Sequence, residues 1–222
     1  MMKIDRISYV THPDVQKLVN ANLTWNPENG KFKWKVTIGG EEFEINKAIK
    51  PILLEMTKNH CAFCDYLISS DFFHPSIEHF EPKSKCPEKA YLWENLFPSC
   101  NGCTEKKDDK FDIKLLKPDE DSYSFGVYFT VTGDGKIEPA LTADGITRER
   151  AEVTIEIYKL NKRGTLLKER KKHFEDYQKL GPIINEDDRN FRFLISFAEQ
   201  ARKSSGPELT SHPDTIINEF IQ

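Results

Sequence analysis

Two Cys-x-x-Cys pairs, Cys61/Cys64 and Cys100/Cys103, carry the most specific chemistry in the chain. Each pair sets two soft thiolates on a tight turn, and four such sulfurs suit tetrahedral zinc with no open coordination position. In a reducing compartment this pattern reads as a metal site and not as disulfides. The remaining cysteine, Cys86, stands alone and is expected to be a free thiol. The spacer from Cys64 to Cys100 is 35 residues, longer than a simple zinc ribbon requires, so it is expected to carry something else.

That spacer holds Ile77-Glu78-His79-Phe80-Glu81-Pro82-Lys83-Ser84, then Trp93-Glu94-Asn95-Leu96, and the second cysteine pair is followed by Thr104-Glu105-Lys106-Lys107. His79 is a neutral imidazole near physiological pH and can take a proton from water. Glu78 is a hard oxygen ligand suited to Mg²⁺ or Mn²⁺. Asn95 offers an amide to orient the imidazole, or equally a helix cap. Lys107 brings a positive charge for a phosphate. Neighbours on a strand point to opposite faces, so a bulge or a strand end is needed to aim Glu78 and His79 at one phosphate.

The elements that must position these groups follow from periodicity. Residues 12–23 read as a short helix. Residues 31–38 alternate, with Phe32, Trp34, Val36 and Ile38 on one face, and predict a strand. Gly39-Gly40 then turns the chain into a second strand over residues 41–45. Helical spacing runs from Ile45 to Met56, with Pro51 either inside the helix or opening it. Residues 122–131 are rich in Tyr, Phe and Val and predict a strand, with Gly133-Asp134-Gly135 turning into another over residues 136–140. Helices are expected over residues 147–160, 165–180 and 188–201, with Gly181-Pro182 separating the last two, a linker at residues 204–207, and a short helix opening at Pro213.

Composition bounds the rest. The chain has 222 residues, enough for one domain with embellishments or a small catalytic core in a larger helical body. No apolar run approaches the ~18 residues of a membrane span, and the N-terminus has no apolar signal region, so a cytoplasmic location is expected. The net charge of −4 weighs against a broad nucleic-acid surface. One stretch runs the other way: residues 159–172 hold seven basic side chains and one acidic, a phosphate track or a solvated helix face.

Residues 61–111 resemble the HNH endonuclease family in its four-cysteine zinc form. The family pattern is a Cys-x-x-Cys, an acid–His pair before x-x-Pro, an Asn-Leu, and a second Cys-x-x-Cys followed by Asn and a Lys. The details Ile77-Glu78-His79-Phe80 and Pro82-Lys83-Ser84 look most similar to the HNH subunits of Septu and retron-associated antiphage defence systems. Ala151 to Arg170, with Thr154-Ile155 and Leu160-Asn161, is similar to the C-terminal region of that group. The resemblance implies an α+β fold: a ββα-metal core with structural zinc, embedded in a mainly helical body. Three regions are expected, an N-terminal helix and hairpin (1–58), the nuclease core (59–118), and a hairpin with C-terminal helices (119–222). His79 would be the general base, Glu78 a ligand of catalytic Mg²⁺ or Mn²⁺, Asn95 the residue fixing loop and imidazole, and Lys107 a further catalytic residue. Thr104 falls where the family has His or Asn. Its hydroxyl is a weaker ligand, and Asn101 would stand in for it in a shifted helix.

The implied function is hydrolysis of DNA, with RNA as the other candidate, under the control of a Septu-type partner ATPase of the SMC or ABC class. No Gly-x-x-x-x-Gly-Lys-Ser/Thr loop is present to bind ATP in this chain. Two rival readings remain at this point. One is an inactive HNH-fold zinc module that binds nucleic acid or serves as an adaptor. The other is a structural interaction protein.

Overall fold

A computed structural model describes residues 1, 3–68 and 75–179. The expected elements at residues 188–201, 204–207 and beyond Pro213, and the Gly181-Pro182 stop, lie outside the described residues. The chain divides into two compact units, Met1–Glu175 and Asp176–Gln222. All of the expected regions 1–58 and 59–118, and the first part of 119–222, fall in the first unit. It is an α+β structure of six α-helices and three antiparallel strand pairs among the described residues. No helix of the described residues is long and apolar enough to cross a membrane.

Helix α1 spans Pro13–Asn20 and is capped by the His12 side chain, which accepts from the amide of Asp14. It buries Val15 and Leu18. Strands β1 (Lys35–Ile38) and β2 (Glu41–Glu44) pair in register from Lys35 opposite Glu44 to Ile38 opposite Glu41. The strand expected from residue 31 is shorter because its partner ends: after Glu44 the chain turns into α2, and only the Ile45 amide still reaches the Trp34 carbonyl. Helix α2 (Ile45–Met56) passes through Pro51. A proline inside a helix costs about 3 kcal/mol. The stripe Ile45, Ile49, Ile52 and Leu53 is buried, at roughly 1.5–3 kcal/mol per side chain, and outweighs it.

Strands β3 (Ser76–His79) and β4 (Leu96–Ser99) form an antiparallel pair with His79 opposite Leu96, and helix α3 (Asn101–Lys107) follows at once. This is the strand–strand–helix order that the resemblance implies. Arg6 braces it from afar: its guanidinium donates to Asp119 and to the carbonyls of Trp93 and Leu96, and lies over the Phe97 ring.

The strand expected over residues 122–131 is half helical. Helix α4 (Phe125–Tyr128) precedes β5 (Phe129–Val131), which pairs with β6 (Ile137–Pro139). The short β6 offers no partner for earlier residues, and a helical turn buries Phe125 and Tyr128 instead. The turn between β5 and β6 needs Gly135, at φ +83°, where a Cβ would meet the Leu167 carbonyl oxygen at 2.2 Å. Helices α5 (Gly145–Ile157) and α6 (Gly164–Lys179) match the sequence expectation within a few residues. Thr154 and Asn161 tie them to the rest: the Thr154 hydroxyl accepts from the Leu116 amide, and the Asn161 amide pairs with both backbone groups of Ile137.

Candidate active site and metal centre

The two faces of α3 do different things. Cys100, at its N-cap, and Cys103 turn towards Cys61 and Cys64. Thr104 and Lys107, three residues apart and so on one face, turn towards Glu78. The Cys61–Cys64 turn is hooked onto β4 by the Ala62 amide, which donates to the Pro98 carbonyl at 2.9 Å.

All four cysteines are buried, and their sulfurs lie within 4.8 Å of one another. The Cys64 and Cys100 sulfurs are 3.7 Å apart. A tetrahedron with Zn–S bonds of about 2.3 Å has edges of about 3.8 Å, so this donor set fits zinc. His60 is not in the cluster: its Nδ1 lies 2.8 Å from the Lys58 carbonyl. Cys86 is a free thiol that donates to Glu81.

In the basic stretch 159–172, Lys168, Lys171 and Lys172 lie exposed on α6, as on a solvated helix face, but Arg163 and Arg170 have partners of another kind. Arg163 donates to the sulfurs of Cys100 at 3.3 Å and Cys103 at 3.0 Å. Arg170 donates to the Leu160 carbonyl from a half-buried position, and the Cys64 and Cys103 thiols act on it from nearby. The Cys100 thiol is held far below its usual range, first by hydrogen bonds from Cys103, Cys61 and Cys64 and further by Arg163. Gly102 makes room: a Cβ there would meet the Arg163 guanidinium at 2.5 Å. No sequence signal separated Arg163 from its basic neighbours.

Glu78 is 7% exposed and Lys107 not at all. The Lys107 ammonium donates to the Glu78 carboxylate at 2.9 Å, to the His79 carbonyl at 2.7 Å and to the Asp108 carbonyl at 3.4 Å. An ammonium has three N–H groups, so all are engaged. Burial raises the Glu78 carboxyl above its usual range, and Lys107, the Thr104 hydroxyl and Lys83 act against that rise. Thr104 also meets Ser76 Oγ at 3.0 Å. Asn101 is exposed, so Thr104 and not Asn101 faces Glu78. The oxygens gathered here are one carboxylate and two hydroxyls. They are hard donors of the kind Mg²⁺ takes alongside water and phosphate.

His79 ends β3 and is 5% exposed. Its Nε2 lies 2.9 Å from the Ala90 carbonyl. A carbonyl only accepts, so Nε2 carries the proton and Nδ1 is left as the acceptor of the neutral ring. Trp34 stacks on the imidazole at 5.5 Å, and Phe32 meets it edge-on at 5.3 Å. Burial pulls the imidazole down to about 4; the Ala90 carbonyl acts against this, and Lys83 and Lys107 add to it. Glu78 and His79 thus face different neighbours across the strand, α3 on one side and the N-terminal aromatic rings on the other.

Asn95 does not touch the imidazole. Its amide donates to the carbonyls of Glu81 and Lys89 and accepts from the Glu81 amide, closing the loop between β3 and β4. Asn95 thus holds the Lys89 carbonyl, one residue before Ala90, whose carbonyl meets His79. Sequence reasoning missed Phe32, Trp34 and Lys83 as neighbours of the site. Lys83 lay inside the quoted Pro82-Lys83-Ser84 stretch.

No family model matches the chain. A curated relative, the Septu protein PtuB of Bacillus thuringiensis, is 41% identical over 94 residues, which are 41% of this chain and 33% of the relative. The chain therefore spans about a third of the length of the relative it matches.

Proposed function

We propose that this chain is a metal-dependent phosphodiesterase of the HNH type that cuts DNA as the effector of a Septu-like antiphage system in the cytoplasm. The observation that carries this reading is the joining of Glu78, Thr104, Lys107 and His79 on one β3–β4–α3 unit whose helix is pinned by four cysteines. Similarity to the Septu protein supports the defence setting.

In this reading His79 Nδ1 accepts the proton of the attacking water, while the Ala90 carbonyl fixes the ring. Asn95 braces the loop that carries Ala90 through the neighbouring Lys89 carbonyl. Glu78 and Thr104 would hold Mg²⁺ or Mn²⁺, which when bound neutralises charge on the phosphate and the leaving oxygen. Lys107 orients Glu78 and the end of β3. The cysteine centre, loaded with zinc, keeps α3 in register with β3. An SMC- or ABC-type ATPase partner would present the nucleic acid and control cutting.

The test is plasmid and RNA cleavage with Mg²⁺, Mn²⁺ or EDTA, for the wild type and His79→Ala, each with and without the ATPase encoded beside it. The expected result is metal-dependent cutting of DNA that rises with the partner and falls about 10²–10⁴-fold in the variant. Wild-type cutting by His79→Ala would remove the base; efficient DNA degradation by the isolated chain would remove partner control.

Two observations favour a second reading, an inactive zinc module that binds nucleic acid or acts as an adaptor. His79 is 5% exposed, and Lys107 already holds the Glu78 carboxylate. Absence of cutting under every condition above, with binding retained, selects it.

A further inference from the structure

Beside His79 the chain builds a feature that hydrolysis alone does not need. Trp25, Phe32 and Trp34, which precede β1, and Tyr91, from the loop between β3 and β4, form a run of rings around the imidazole. Phe32 is the hub. It stacks on Tyr91 at 4.9 Å and meets Trp25 at 5.6 Å and Trp34 at 4.9 Å edge-on. Trp34 in turn lies nearly parallel to the imidazole, at 27°. Tyr91 is buried and its hydroxyl donates to the Lys33 carbonyl, so it serves as a fixed backing. Trp25 and Trp34 pack against the core yet remain half-buried. Rings that only filled a core would be covered, as Trp93 is at 1% exposure.

Cations surround these rings. The Lys83 ammonium lies 5.6 Å from the Phe32 centroid, and its charge acts on both Glu78 and His79. Exposed Lys31 and Lys33 alternate with Phe32 and Trp34 along the chain. Among the described residues Lys31, Lys33 and Lys83 form no ion pair, whereas Lys35 is held by Glu42 at 2.7 Å. Half-buried aromatic rings interleaved with free ammonium groups suit single-stranded nucleic acid: every base has a π face to stack, and the phosphates that join the bases need cations. In a duplex those faces are already stacked on neighbouring bases, so only an unpaired or extruded nucleotide can use the rings.

We propose that Trp25 and Trp34 form the stacking platform for an unpaired nucleobase beside the phosphate that His79 serves, with Lys83 on that phosphate, so that the chain selects single-stranded or unstacked nucleotides over duplex. This inference rests on the phosphodiesterase reading of the same site and names its substrate class. The ligand chemistry is the nucleobase itself, from DNA or RNA.

The chain has three tryptophans, and Trp93 is enclosed, so Trp25 and Trp34 report on a stacked base. The full chain, in buffer without Mg²⁺ or Mn²⁺, is titrated with oligothymidylate, with oligouridylate of equal length, and with a blunt DNA duplex of equal phosphate count, following tryptophan fluorescence. Both single strands should quench the emission and bind more tightly than the duplex. Trp25→Leu and Trp34→Leu should each weaken single-strand binding about 5- to 100-fold and leave duplex binding unchanged. Trp34→Phe, which keeps a ring, should recover most of the affinity even if Trp34→Leu packs poorly, and zinc content and melting curves identify that case. Single-strand affinity unchanged in the double Leu variant, or a wild-type preference for duplex, overturns the proposal. The two readings fail separately: unchanged binding with His79-dependent cutting removes only the platform, and ring-dependent binding with no cutting removes only the phosphodiesterase.

Discussion

The buried ammonium of Lys107 stands 2.9 Å from the Glu78 carboxylate and 2.7 Å from the carbonyl oxygen of His79, joining the last turn of α3 to the end of β3. Removing one partner of a buried pair leaves an uncompensated charge, which typically costs about 3–5 kcal/mol. Lys107→Met should therefore lower the melting temperature strongly. Adding Glu78→Gln to it should recover much of the loss, because the stranded carboxylate is gone. Thermal melts of the two single variants and the double variant check this; additive losses would show that the pair does not couple.

His79 should make stability depend on pH. The folded imidazole is held near 4, first by burial, with Lys83 and Lys107 adding to it against the Ala90 carbonyl. An unfolded histidine titrates near 6.5, so between those values the unfolded chain binds a proton that the folded chain does not. This contribution is fully present above pH ~6.5, is lost as the pH falls towards about 4, and amounts to at most about 3 kcal/mol. Urea midpoints measured from pH 7 down to 4.5 should fall more steeply for the wild type than for His79→Asn. Parallel slopes would show that the imidazole titrates normally.

The cysteine centre should hold about one zinc per chain, and Cys61→Ser or Cys103→Ser should release it and lower thermal stability. Four thiolates around Zn²⁺ leave an excess of negative charge in a buried place, and Arg163 lies 3.0 Å from the Cys103 sulfur to offset it. Arg163→Met should weaken zinc retention about 10–100-fold in a competition with a chelator, with all four cysteines in place. Gly102→Ala, whose Cβ displaces the guanidinium, should shift retention in the same direction. Metal-free protein with an unchanged melting curve would exclude the site.

Thr104 tests the metal end of the proposed mechanism. Thr104→Asn should keep or raise cleavage, since it adds a stronger oxygen ligand opposite Glu78. Thr104→Val keeps the shape but removes both the hydroxyl and its hydrogen bond to Glu78, and should lower cleavage. The comparison is the Mg²⁺ concentration for half-maximal cleavage in the three proteins. Identical curves would place position 104 outside the metal's reach.

Much of this was legible in the chain because residue type and short spacing carry it. Two Cys-x-x-Cys pairs specify a soft tetrahedral donor set wherever they meet. Glu78-His79 and Asn95 mark a strand and a loop, and the runs at residues 45–56, 147–160 and 165–180 fix helices through periodicity. The misreadings came where a partner decides. Residues 31–34 have strand alternation but no strand opposite them, and residues 122–128 are strand-rich in composition but bury their rings in a helical turn.

By itself, then, the amino-acid order determined the four cysteine donors, the candidate proton acceptor and the local elements, since those depend on residue type and on neighbours a few positions away. Only the tertiary structure decided what each group meets. Lys107 and Glu78 are 29 residues apart, Arg163 and Cys103 are 60 apart, and Trp34 reaches His79 from the segment before β1. Such contacts exist only once the core has closed. Burial then decides their chemistry: it makes a lysine expected at a phosphate into the partner of a carboxylate, two arginines of a basic stretch into neighbours of the cysteine centre, and a histidine into a ring covered by tryptophan.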